Sequence, residues 1–129
     1  MVIDTSALIA YLEQEPGADR IEQKLLEADR LSISTATIVE CGIVIEARRG
    51  DAGGRELDLL LHRLGVEIVA VDEAQADLAR SAYRRFGKGR HPAALNFGDC
   101  FSYALAQSID QELLYIGHDF DSTDVRSAL

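Results

Sequence analysis

The chain has 129 residues, 47% hydrophobic and 27% charged, and its 22 acidic and 13 basic side chains leave a net charge of −9. That length suits one domain with its own core, so residues 1–129 are expected to fold as a single unit. No run approaches the ~18 apolar residues of a membrane span, no basic-then-apolar leader opens the chain, and the acidic balance argues against a general nucleic-acid binder. A cytoplasmic protein with no membrane contact is expected.

In chain order, residues 2–4 read as a short strand and 6–12 as the start of a helix. Pro16 is placed to begin a second helix, with Ile21, Leu25 and Leu26 as its apolar stripe. Residues 30–34 form strand two, and 37–49 a strongly apolar helix that Gly50 closes. Leu57, Leu60, Leu61 and Leu64 mark another helix by their i, i+3, i+4, i+7 spacing. Strand three covers 66–71, a helix 72–86, a loop 87–97, a helix 99–108 and strand four 113–116. Strands alternating with helices predict an α/β fold whose mostly parallel sheet is covered on both faces. Cys41 and Cys100 have no CxxC spacing and read as small buried hydrophobes.

Four acids stand out from this pattern. Asp4 ends the first strand and Asp119 follows the last, both where an α/β sheet binds ligands. Asp99 opens an apolar helix, and Glu40 lies inside one, among Ile38, Val39, Ile43, Val44 and Ile45. Each has a purely structural reading. Asp4 and Asp99 are good N-caps, Thr37 to Glu40 fits a capping box, and Asp119 suits a surface loop. If Ser34 or Thr35 caps instead, Glu40 moves into the helix interior and needs a partner, because an unpaired buried carboxylate is costly. Taken together, clustered carboxylates repel one another unless a divalent cation neutralises them, which points to a metal-dependent enzyme. The basic residues are uneven too. Arg80, Arg84, Arg85, Lys88 and Arg90 fall within one short stretch, whereas residues 91–125 contain six acids and no Lys or Arg.

Three segments carry a family resemblance. Val2-Ile3-Asp4-Thr5-Ser6-Ala7-Leu8 resembles the opening of PIN domains of the VapC toxin type. Leu95-Asn96-Phe97-Gly98-Asp99-Cys100-Phe101-Ser102-Tyr103-Ala104-Leu105-Ala106 is similar to the central motif of one VapC-like branch. Gly117-His118-Asp119-Phe120 with Thr123-Asp124 resembles the family's G-N-D-F…T-D ending, with His118 where the family usually has Asn. The resemblance implies a three-layer α/β/α fold and a Mg²⁺- or Mn²⁺-dependent endoribonuclease toxin. It assigns catalytic roles to Asp4, Glu40, Asp99 and Asp119, and a supporting role to Ser6. Asp4 and Asp99 are expected to hold the principal ion, since hard oxygen ligands suit these metals. Asp121 is a spare acid for the fourth role. The resemblance also implies a VapB-type antitoxin covering the pocket and a homodimer formed through apolar helix surface.

Arg84, Arg85, Lys88 and Arg90 are candidates to track the RNA backbone, against the plainer reading of a solvated basic helix end. A haloacid-dehalogenase-type phosphatase needs a second acid where Ser6 stands. A receiver domain needs an acidic pair and a late lysine that the chain lacks. The non-enzymatic alternative is a PIN-like module that only binds RNA or a partner.

Overall fold

β1 (Val2–Ile3) and β4 (Leu113–Leu114) are only two residues long, and all four side chains are fully buried. Because successive strand residues point to opposite faces, Val2 and Leu113 enter one core while Ile3 and Leu114 enter the other. The computed structural model, which describes residues 1–129, therefore has three layers. Helices α1 (Thr5–Leu12), α2 (Ala18–Glu27) and α3 (Thr35–Arg63) pack around Ile3, Ile33 and Leu114. Helices α4 (Glu73–Phe86) and α5 (Phe97–Ser108) pack around Val2 and Leu113.

With β2 (Ser32–Ser34) and β3 (Glu67–Val69), the strands form one parallel sheet in the order β3-β2-β1-β4. The chain winds outward from β1 to β3, then returns across the opposite face to β4. The strand order thus reverses between β1 and β4, where ligand crevices form in open α/β sheets. Asp4 leaves β1 at this point, and its amide donates to the Leu114 carbonyl at 3.0 Å. No helix is long and apolar enough to cross a membrane.

Several predicted boundaries move. Gly50 does break the helix, at φ 65° and ψ −160°, but helix resumes at once, so α3 runs from Thr35 to Arg63 about a kink rather than as two separated helices. A positive φ with extended ψ costs glycine little and other residues much. Pro16 lies in the turn before α2, whose N-cap is Gly17. The strands are shorter than the apolar runs that announce them, since burial continues past the last ladder hydrogen bond: Tyr115 is buried outside β4. The apolar content of α3 divides as well. Ile45 is buried in the core, whereas Val39 and Ile43 are 62% and 64% exposed.

Candidate active site

Asp4 is both helix cap and buried acid. It is the N-cap of α1, 3% exposed, and its Oδ2 accepts the Ser6 amide at 2.9 Å and the Ser6 hydroxyl at 2.6 Å. Its Oδ1 accepts the hydroxyl of Ser102, from α5, at 2.6 Å. Ser6 Oγ in turn accepts the Ile116 amide at 3.1 Å, tying the end of β4 to the start of α1. Ser102 Oγ also lies 3.3 Å from Thr37 Oγ1 of α3. Ser102 and Thr37 are fully or almost fully buried. This chain of hydroxyls fixes the Asp4 carboxylate from three elements.

Asp99 does not open α5. The N-cap is Asn96, and Asp99 stands at the third helical position of a capping box. Asn96 Oδ1 accepts the Asp99 amide, and Asp99 Oδ2 accepts the Asn96 amide, each at 2.9 Å. Such reciprocal bonding satisfies two otherwise orphaned amides and uses one of the two Asp99 carboxylate oxygens. Burial pushes the Asp99 carboxyl up to about 7. The Asn96 amide opposes that shift, and the charges of Asp4, Asp119 and Glu40 add to it. Three of the predicted acids thus act on the fourth, Asp99.

Glu40 is an interior residue of α3, because Ser34 is the N-cap and accepts the Ala36 amide at 3.2 Å. Thr37 is buried elsewhere, so the Thr37–Glu40 capping box does not form. The partner Glu40 requires is the Thr5 hydroxyl, which donates a short hydrogen bond to Oε1. Its carboxylate also lies directly against Gly98, where any Cβ would overlap it. Gly98 therefore admits Glu40 to the positive end of α5.

Asp119 is exposed in the loop after β4. Asp121 is otherwise engaged: its Oδ1 accepts the Tyr115 hydroxyl at 2.9 Å and its Oδ2 lies 2.7 Å from His118 Nδ1. His118 and then Tyr115 hold Asp121 below the usual carboxylate range. Asp121 is thus tied into its own turn, which His118, 94% exposed, organises through it.

No three acidic, histidine or cysteine side chains are drawn close enough to hold a metal ion in this structure. The donor set itself suits a hard divalent cation, being all carboxylate and hydroxyl oxygen. Cys41 and Cys100 are buried free thiols. Burial, then the Asp4 and Glu40 charges, push Cys41 to about 12, and burial, then Asp99, push Cys100 to about 11.

The basic candidates separate. Arg85 bonds Asp124 and the Tyr103 hydroxyl, each at 3.1 Å, and stacks over Phe86 at 4.6 Å. It anchors the C-terminal segment, as does Tyr103, whose hydroxyl donates to Asp124 at 2.6 Å. Arg84 and Lys88 instead line an open trough beside the N-terminus of α5, and Arg90 is an exposed loop residue. Thr5, Ser102, Thr37, Asn96 and Gly98 escaped sequence reasoning as site residues. Only Ser102, one helical turn after Asp99, carried a local signal.

A family model described as "PIN domain" matches residues 1–126. Ribonuclease VapC30 of Mycobacterium tuberculosis is 59% identical over 126 residues, covering 97% of this chain and 95% of the relative. Among solved structures, M. tuberculosis VapC20, titled a Sarcin-Ricin loop cleaving toxin, superposes with a TM-score of 0.77 at 16% identity, covering 96% of this chain and 95% of that one. A toxin–antitoxin complex from Klebsiella pneumoniae superposes with a TM-score of 0.72 at 17% identity, covering 95% and 92%.

Proposed function

The chain belongs to the PIN domain family, and on that premise we propose that it is a VapC-type ribonuclease toxin, neutralised by an antitoxin partner. Residues 1–129 act as one PIN domain. The observation that carries the reading is Asp4 at the reversal point of the sheet, buried and held by Ser6 and Ser102, with the buried Asp99 carboxyl near enough to feel its charge. A fold that only bound RNA would gain nothing from burying Asp4 and Asp99.

In this reading Asp4 and Asp99 hold a divalent cation, Mg²⁺ or Mn²⁺ in its place. Bound there, the cation would supply an activated water at neutral pH and charge neutralisation at phosphorus. Ser6 and Ser102 keep Asp4 in one orientation before substrate arrives, so no reorganisation is needed during the reaction. Thr5 and Gly98 aim Glu40 across the N-terminus of α5, where it orients the attacking water. Asp119, on its exposed loop, approaches from the solvent side as the fourth acid. The exposed apolar pair Val39 and Ile43 on α3 gives a partner chain, antitoxin or second copy, apolar surface to cover.

The test is cleavage of single-stranded RNA by the purified chain. Activity is expected with Mg²⁺ or Mn²⁺ and none in excess chelator. Full activity in chelator removes the metal-dependent mechanism. RNA binding without cleavage under every metal condition leaves the binding-only module instead.

A further inference from the structure

A cavity of about 820 Å³ lies in the trough between α4 and the start of α5. Its volume is in the range of roughly 300–1,000 Å³ that ligand clefts occupy. Ala76, Ala79 and Phe101 contribute an apolar floor, while Arg80, Arg84 and Lys88 supply cations and no acid lines it. In a chain of net charge −9, an acid-free trough with three cations complements a polyanion.

Two rings in this trough are fixed in place. Phe97 is 79% exposed, yet packs edge-to-face on Phe101 with centroids 4.9 Å apart and planes at 80°. Tyr83 is 39% exposed, and its hydroxyl donates to the Lys88 carbonyl at 3.3 Å. Its ring lies against Gly87, where a Cβ would come within 2.8 Å of the ring edge. The trough also adjoins the acids. Asn96 lines it and shares the capping box with Asp99. Asn96 spends its side-chain carbonyl on the cap, which leaves its NH₂ without an intramolecular partner.

Resting on the ribonuclease reading above, we propose that this trough is the subsite for a nucleotide next to the cleaved phosphodiester of single-stranded RNA. Its base stacks on Phe97 and Tyr83, with the Asn96 NH₂ at its edge, and the flanking phosphates pair with Arg80, Arg84 and Lys88. Bases of single-stranded RNA are held in this manner on aromatic platforms beside a cationic track. Phe97 and these cations, rather than Arg85 and Arg90, then position the substrate strand.

The probe is a 5′-labelled, mixed-sequence, 12-nucleotide single-stranded RNA, titrated by anisotropy against protein carrying Asp4→Asn to prevent turnover. Wild-type cleavage and sedimentation velocity are followed in parallel. Phe97→Ala should weaken binding about tenfold and Phe97→Trp should restore it. Arg84→Ser with Lys88→Ser should flatten the slope of log affinity against log salt by about 1.4. Undiminished binding by Phe97→Ala, while the parent cleaves RNA, overturns the subsite and leaves the ribonuclease reading intact. A Phe97→Ala change that alters sedimentation but not RNA affinity makes the trough a contact between copies and also overturns it. If the wild type neither binds nor cleaves RNA, the ribonuclease reading fails and the subsite fails with it.

Discussion

Asp4 and Asp99 differ from Asp119 in what holds them. The first two are buried in helix-capping networks, Asp4 as the N-cap of α1 and Asp99 as the third helical residue of α5, and are engaged by Ser6, Ser102 and Asn96, while Asp119 hangs exposed on a turn that Asp121, His118 and Tyr115 build. The buried pair merges folding with chemistry, whereas the loop acid keeps them apart. Substitutions in the first region should therefore move stability and activity together unless the cap is preserved, and those in the second should move activity alone.

The largest effect is expected at the buried pair. Asparagine caps a helix about as well as aspartate, and at position 99 its side-chain carbonyl can still accept the Asn96 amide, so Asp4→Asn and Asp99→Asn should fold, yet each should lose about 10²–10³-fold in cleavage rate. Asp99 adds a pH signature. Its folded pKa of about 7 stands above the ~3.9 of an unfolded aspartate, so the native state keeps a proton that the unfolded chain has lost. Its contribution is fully present below about pH 4, declines as pH rises, and is gone above about pH 7. Thermal melts in chelator from pH 5 to 8 should show the wild type losing stability relative to Asp99→Asn, with the variant melting higher at pH 8. Parallel melting curves across that range would separate Asp99 from the other acids.

A smaller loss should follow Gly98→Ala. The new Cβ overlaps the Glu40 carboxylate and drives it from Thr5, costing about 10–100-fold in rate, as loss of an orienting contact does. In a Glu40→Ala background the same change should cost little further stability. The double-mutant cycle checks this, and additive costs would show that Gly98 serves something other than Glu40.

Asp119→Asn tests the other side of the contrast, with cleavage down about tenfold and an unchanged melting temperature. A drop in melting temperature would place Asp119 with the fold-bound acids. The least effect is expected from His118→Asn, because His118 bonds Asp121 and none of Asp4, Glu40, Asp99 or Asp119. Cleavage at pH 8 should stay at the wild-type level, and a marked loss there would give the histidine a role at Asp119.

The parallel sheet and both helical layers were legible because apolar runs and 3.6-residue stripes record burial directly. The acids were legible as positions: after β1, within α3, at the start of α5 and after β4. Their local roles were not. Asp99 read as the first residue of α5 because Asn96 and Asp99 are equally good caps by type, and only the backbone shows which amide each receives. Thr5 meets Glu40 across 35 residues and Ser102 meets Asp4 across 98, so no window of sequence contains either pair. Arg85 was grouped with Arg84 by adjacency, although consecutive helical residues point about 100° apart. That rotation turns Arg85 toward Tyr103 and Arg84 toward the trough.

The two-residue length of β1 bears on how this chain tolerates insertion and deletion. Val2 and Ile3 each serve a different core, and Asp4 follows with no spacer. A single residue gained or lost between Met1 and Asp4 would exchange the two core faces, or else carry the carboxylate one step away from Ser102. A longer strand could absorb such a slip by sliding along its neighbours. Here there is nothing to slide, so length variation among related chains should collect in surface connections such as the 87–95 loop and avoid the first six residues.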